Sequence, residues 1–531
     1  MTTWWQRGIV YQVYPRSFKD SDGDGVGDLP GITEKLDYLA WLGIDAVWIS
    51  PIFQSPMADF GYDVSDYRDI HPLFGTLADF DALLAKAHAL GLRVILDLVP
   101  NHTSDQHPWF IESASSPDNP KRDWYIWRDR APDGAPPNNW LAYFGGISWT
   151  VEEQTGQVYL HNFLPGQPDL NYRNPEVVEA MLDNIRFWLD RGVDGFRVDV
   201  IDRMMKDPDL RDNPVDPGWK PGDNPAYRVK RVYSENGAGI HDLIRQFREA
   251  FDAYDERVIV GEIAYSTDPV YITDFYGTDA KPYGDEIHLP FNFALLMLPW
   301  RAEVLRGFID AYDAAIPSYG WGNYVLGNHD QSRIATKIGT AQARVAAMLL
   351  LTLRGAPTIY YGDELGMADV PLTPSQYQDP QGINLGISRD PERTPMQWDG
   401  SANAGFTTGT PWLPVSADYQ THNVEAEREH SLSMLTLYRR LIAVRRSDDA
   451  FISGDYRSID APDGCLLYTR GGTYAVALNL TDQPVTVSLP HGGSIMLSTR
   501  LDREGTSDAA LDLAAAEGVI VRLAVVDGGA L

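Results

Sequence analysis

The pattern that most constrains this chain is a recurring unit: an amphipathic helix, usually a glycine near its end, then a short strand of β-branched and aromatic residues. It appears in "EKLDYLAWLGIDAVWISP", "DFDALLAKAHALGLRVILDLVP", "MLDNIRFWLDRGVDGFRVDV" and "IRQFREAFDAYDERVIVGEI". Helices that alternate with strands imply parallel strands joined by crossover helices, in a doubly wound sheet or a closed barrel. The candidate strands "GIVYQVYP", "DAVWISP", "RVILDLVP", "GFRVDV", "VIVGEI", "LPFNF", "YVLGNHD" and "APTIYYGDE" number eight, which favours the (β/α)8 TIM barrel, an α/β fold.

Two stretches interrupt the pattern. Between the third strand and the helix near Pro175 lies a segment holding Trp109, Trp124, Trp127, Trp140 and Trp149, too long for an ordinary connection and predicted to be an inserted lid domain. A second long loop, punctuated by Gly and Pro, runs from about Asp363 to His430 after the eighth strand. Beyond the closing helix "SLSMLTLYRRLIAVRR", short strand signals ("CLLYTR", "TYAVALNL", "QPVTVSLP", "GSIMLSTR", "GVIVRLAV") mark an all-β terminal domain. The expected boundaries are 1–102 and 174–448 for the barrel, 103–173 for the lid and 449–531 for a C-terminal β-sandwich.

With 531 residues, 44% of them hydrophobic, the chain buries a large core. Its net charge of -30 opposes binding to phosphate backbones and anionic lipid, so nucleic acid is excluded as a partner. The single cysteine, Cys465, makes no internal disulfide. The opening "MTTWWQRGIV" lacks a secretion signal, and the longest apolar run, Val345 to Leu353, is too short to cross a bilayer. The simplest expectation is a soluble cytoplasmic protein with no membrane segment.

In such a barrel the loops at the carboxyl ends of the strands build the site. There the third strand carries Asp97, Asn101 and His102; the fourth, Arg197 and Asp199; the fifth, Glu262; the seventh, Asn328, His329 and Asp330. In "GVDGFRVDV" a period of two puts Phe196, Val198 and Val200 on one face and Arg197 and Asp199 on the other, and buried charges need a partner or a purpose. Cleaving a glycosidic bond asks for such a set: one ionised carboxylate at the anomeric carbon and one protonated carboxyl at the departing oxygen. Arg197 is expected to keep Asp199 ionised, whereas Glu262, with no cation in its own strand, is expected to stay protonated.

The motifs "DLVPNH", "GFRVDV", "VGEI" and "NHD", in this order, make the chain resemble the α-amylase family of glycoside hydrolases over nearly its whole length. The stretch "QPDLN" at 167–171 is similar to the signature of its oligo-1,6-glucosidase and α-glucosidase branch. The resemblance implies a retaining mechanism through a covalent glucosyl intermediate, with Asp199 as nucleophile, Glu262 as general acid and base, and Asp330 as the carboxylate that stabilises the transition state. It further implies that Tyr62, Asp63, His102, Arg197 and His329 contact the nonreducing glucose, that Arg393 helps close a blind pocket, and that Phe144 and Phe163 wall it. The implied substrates are short oligosaccharides or disaccharides cut from their ends. Val200, after the nucleophile, accompanies α-1,6 activity in this branch, while the following "IDRMMKDPDLRDNP" departs from the "IN" frequent in oligo-1,6-glucosidases. A transglucosylase or sucrose isomerase using the same intermediate is the alternative function, and a noncatalytic scaffold a remote one.

The loop "DSDGDGVGD" sets Asp20, Asp22, Asp24 and Asp28 at alternate positions, oxygen ligands suited to calcium, with the Val26 carbonyl as a fifth. It is not an EF-hand, because Gly31 stands where the bidentate Glu belongs. A similar loop binds calcium in the branch named above. No Gly-rich phosphate loop follows the first strand, so no organic cofactor is expected.

Overall fold

The computed structural model describes residues 2–263 and 265–525. Eight parallel strands form one sheet: β1 (Val10–Val13), β2 (Ala46–Ile49), β3 (Arg93–Leu98), β4 (Gly195–Val198), β5 (Val258–Glu262), β6 (Leu289–Phe291), β7 (Asn323–Val325) and β8 (Ala356–Tyr360). Their order is β6-β5-β4-β3-β2-β1-β8-β7, so every sequential neighbour pairs except β6 with β7. Asn323 spans that gap with its side chain, accepting from the Asn292 amide at 2.9 Å and donating to the Pro290 carbonyl. The sheet is thus a nearly closed barrel.

Eight helices follow the strands in turn: α1 (Leu29–Leu42), α2 (Leu77–Ala89), α3 (Pro175–Arg191), α4 (Ile240–Asp252), α5 (Pro269–Asp274), α6 (Ala302–Ala315), α7 (Ile334–Thr352) and α8 (Met434–Ser447). The ends follow local chemistry. Asp28 caps α1 by accepting from the Gly31 amide, Thr76 and Asp79 form a capping box on α2, and Gly43 and Gly192 close α1 and α3 in the left-handed conformation. Along the strands, side chains alternate between two cores. Val10, Ala46, Trp48, Ile95, Val258, Val260 and Phe291 fill the barrel, whereas Val47, Leu96, Phe196, Val198 and Ile259 pack outward beneath the helices.

The apolar run at 345–353 lies inside α7, which is long and apolar enough to cross a membrane by length and composition alone. The expectation from the run by itself was therefore too short. Here α7 is broken at Gly339 (φ 80°), is buried from Val345 to Thr352, and packs on α8.

Between β3 and α3 a three-stranded sheet (Trp127–Arg128, Val158–Leu160, Trp149–Val151) carries the tryptophan-rich segment. A further insertion, 201–239 between β4 and α4, was not foreseen. It docks on that segment through Trp140 Nε1 to the Arg211 carbonyl (2.8 Å), Asn139 to the Asn213 carbonyl (2.8 Å), and Tyr143 to Glu235. After α8, eight antiparallel strands build a six-stranded sheet and a two-stranded one that share a small core of Leu467, Ala477, Val487, Leu511, Val519 and Val521. Three of these strands, Tyr456–Ile459, Gly505–Ser507 and Ala510–Leu513, were not foreseen; they are short and mostly half-exposed, so their apolar signal is weak. Cys465 is a buried free thiol there. Arg470 joins this domain to the barrel, donating to the carbonyls of Thr352, Phe451 and Gly454.

Candidate active site

On the third and fifth strands the inward column turns from apolar to charged as it rises. On β3 Ile95 is followed by Asp97, and on β5 Val260 is followed by Glu262. The register sets Arg197 beside Asp97 on one side and Val260 on the other, so its guanidinium reaches both neighbours. Nη1 donates to Asp97 Oδ1 and Asp199 Oδ1, each at 2.7 Å, and Nη2 donates to Glu262. Trp48 lies 5.1 Å beneath the guanidinium and gives its indole N–H to Asp97. All four charged side chains are buried.

One cation thus faces three carboxylates, and the electrostatics depart from the expectation drawn from single strands. Arg197 reaches Glu262 from the adjacent strand, so Glu262 is not free of a cation. Burial raises Asp199 well above the ordinary carboxylate range, against the pull of Arg197, and the charges of Glu262 and Asp97 add to the rise. Asp97 is raised to about 6, again chiefly by burial. Asp199 and Glu262 are held on the two arms of one guanidinium, Nη1 and Nη2 of Arg197.

Opposite these groups, Asp330 follows β7. Burial opposes its charge, yet His329, Arg389 and Arg393 around it hold its carboxyl well below the usual range. His329 and His102 are lowered by burial to about 3 and about 4, so both are neutral at pH 7. His329 is fixed by Gln12 and the Tyr62 hydroxyl, both at 2.7 Å, and Tyr62 stacks on its ring. His102 bonds the Tyr62 carbonyl at 3.0 Å and meets Phe163, which packs on Phe144.

These groups line a cavity of about 180 Å³, below the ~300–1,000 Å³ of pockets for drug-sized ligands and suited to one small ring. On its wall Arg389 donates to Asp59 Oδ1 and Asp330 Oδ1 (3.0 Å each) and to Asp379 Oδ1 (2.6 Å). A model of the alpha-amylase catalytic domain matches residues 12–454. The chain belongs to the alpha-amylase family. It is 43% identical over 510 residues to a probable alpha-glucosidase of Rhizobium meliloti (strain 1021), covering 92% of this chain and 91% of that one. Over 554 residues it is 39% identical to an oligo-1,6-glucosidase of Heyndrickxia coagulans, covering 96% and 97%. The structure superposes on the alpha-glucosyl transfer enzyme XgtA with a TM-score of 0.91 at 41% identity, over 98% of this chain and all of that one.

Of the residues singled out from sequence, this alpha-amylase-family chain brings Tyr62, His102, Phe144, Phe163, Asp199, Val200, Glu262, His329 and Asp330 to the cavity, with Arg197 just beneath. Asp97, Asn101 and Asn328 do not line it, nor do Asp63 and Arg393. The Asp63 carboxylate is consumed by its own loop, accepting from Ser55 Oγ (2.8 Å), the Ala58 amide (2.8 Å) and the Asp59 amide (3.0 Å); the carboxylate at the wall is Asp59. Arg393 sits behind Asp330 and is tied to the His329 carbonyl, and Arg389 is the arginine on the wall. The fourth strand also ends earlier than read, at Val198. Val200 is left-handed (φ 39°, ψ 48°), and its amide points at Glu262 Oε2, 3.2 Å away. Arg203, Tyr143 and Tyr227 complete the wall.

In the acidic loop, carboxylate oxygens of Asp20, Asp22 and Asp28 lie within 4.8 Å of one another, hard donors that fit a divalent cation. Asp24 stands outside this group and accepts from the Val26 amide at 2.8 Å. Asp20 also holds the amides of Asp22, Gly23 and Gly25 and the hydroxyl of Thr407.

The two aspartates of the β2 loop are separable. Asp63→Ala strips three hydrogen bonds from a buried turn and is expected to lower the thermal midpoint by about 2–4 °C or more, while Asp59→Ala is expected to cost turnover more than stability. Thermal melts and initial rates on both variants check this; full turnover in Asp59→Ala contradicts it.

Proposed function

We propose that this chain is a retaining α-glucosidase releasing one glucose at a time from the nonreducing ends of short α-glucosides. The observation that carries the reading is the bridge on the cavity wall, where Arg389 joins Asp59 to Asp330. A terminal ring fits against that wall, and a polymer cannot run past it. Asp199 and Glu262 share one guanidinium, which supports retention, since inverting enzymes hold their carboxyls ~6.5–9.5 Å apart.

In this mechanism Asp199 attacks the anomeric carbon while Glu262 gives its proton to the departing oxygen, leaving a glucosyl ester on Asp199. Water then enters, loses a proton to Glu262 and frees glucose. One proton shared by the Asp199 and Glu262 pair is sufficient, provided it rests on Glu262 when the sugar is bound. Asp330, kept ionised by its arginines, accepts hydrogen bonds from the ring hydroxyls, and neutral His102 and His329 add donors without adding charge. Tyr62, Phe144 and Phe163 supply apolar faces to the ring. Val200 lies beside Glu262, on the side where the leaving unit sits, and supports acceptance of α-1,6 as well as α-1,4 bonds. A sugar arriving in place of water gives transfer instead of hydrolysis, the chemistry named for the similar transfer enzyme.

The Asp20, Asp22 and Asp28 cluster is proposed to hold structural calcium, tying the loop after β1 to Thr407 in the long loop after β8. Chelation with EDTA is expected to lower the thermal midpoint, with recovery on adding calcium; identical melts in both conditions argue against the metal.

Initial rates with maltose, isomaltose and sucrose, products resolved by chromatography, test the main reading. Glucose release from maltose and isomaltose is expected, and Asp199→Asn is expected to lose about 10³-fold or more in rate while keeping its melting behaviour. Isomerised sucrose as the main product would move the assignment to the rearranging alternative.

The pH profile carries a sign of its own. Because burial raises Asp199, the acid limb of kcat/KM is expected above the ~4 of a free carboxylate. Removing one neighbouring negative charge in Asp97→Asn shifts that limb to lower pH, and an unmoved limb contradicts the coupling.

A further inference from the structure

Arg203 is a buried guanidinium with almost nothing to bond to. It follows β4 in the short turn Ile201–Arg203, with a side-chain exposure of 8%, and lines the cavity. Its Nε is buried without a hydrogen-bond partner, and among the described residues its only polar partner is Glu235, at a loose 3.7 Å. Its position is fixed instead by stacking. Tyr143 lies 4.2 Å from the guanidinium, Phe163 lies 5.6 Å away, and Arg231 covers Tyr143 at 3.6 Å. The Tyr143 hydroxyl is anchored on Glu235.

Buried polar groups in folded proteins are as a rule bonded, and an arginine has five donors in a rigid fork. An open fork at a cavity wall is a set of donors kept for something that enters. Its location says what. Arg389 ties Asp59 to Asp330 on one part of the wall, whereas Arg203 comes from the insertion that also places Asn224 and Tyr227 there. The Arg203 amide donates to the Val200 carbonyl at 2.9 Å, and the Val200 amide donates to Glu262 Oε2 at 3.2 Å, while Arg389 and Arg393 both bond Asp330. Arg203 therefore stands on the side of the acid that protonates the departing oxygen.

We propose that Arg203 is a specificity-determining residue that donates hydrogen bonds to hydroxyl oxygens of the sugar unit on the leaving side of the cleaved bond, so that the enzyme favours glucosides of sugars over glucosides of flat aromatic alcohols. The inference rests on the α-glucosidase reading. The same contact serves a sugar acceptor that approaches the glucosyl intermediate in transfer.

The test compares maltose with an aryl α-glucoside such as 4-nitrophenyl α-glucoside, whose leaving group has no hydroxyls. In Arg203→Met, kcat/KM for maltose is expected to fall about tenfold, with the aryl glucoside within about twofold of the unaltered enzyme. Arg203→Lys keeps the charge and loses the planar fork, so a smaller, still maltose-selective loss is expected, and it serves if the Met variant fails to fold. Equal losses on both substrates, or no loss on either, overturn the proposal. Failure of the unaltered enzyme to cleave either substrate would instead overturn the α-glucosidase reading, so the two failures are distinct.

Discussion

The structure is organised around one buried cation. Arg197, rising from the fourth strand, is held by Asp97, Asp199 and Glu262 from three adjacent strands, with the face of Trp48 below it. Removing an arginine from water is costly, and only close carboxylates in good geometry offset that cost. The barrel provides them by register: Asp97 stands level with Arg197 on one side, and on the other Glu262 stands one inward position above Val260, the residue level with Arg197. Burial raises Asp97 and Asp199 above the ordinary range of carboxylates, against the pull of Arg197.

A second arginine does the complementary work. Arg389 lies far from the strands, in the long loop after β8, and joins Asp59, Asp330 and Asp379. Where Arg197 gathers the carboxylates at the strand ends, Arg389 ties together the loops beside them. Specificity in this fold lives in loops, while the strands hold the chemistry.

This division explains what was legible in the sequence. The eight strands were visible because alternation and β-branched runs report burial directly, and the polar residues at their ends were found with them. The loop residues were harder. Asp59 and Asp63 stand four apart in an irregular segment, as do Arg389 and Arg393, and no periodicity says which member of each pair faces inward; the hydrogen bonds of the fold decide it. Glu262 was read as lacking a cation because its partner sits on the neighbouring strand, across a register that sequence order does not display. The insertion at 201–239 shows no long apolar run, and its pairing with the lid is made through Asn, Tyr and Trp side chains whose partners lie about 70 to 90 residues away. Arg203 went unnoticed for the same reason.

The bridge between Arg389 and Asp59 joins residues 330 positions apart, whereas the groups that meet at Arg197 are all in place by residue 262. As the chain leaves the ribosome, the carboxylates around Arg197 are therefore complete in sequence long before the arginine that ties Asp59 to Asp330. No fragment that stops short of residue 389 contains that bridge. The contact between the two loops belongs to the finished polypeptide, and a prematurely terminated product lacks it.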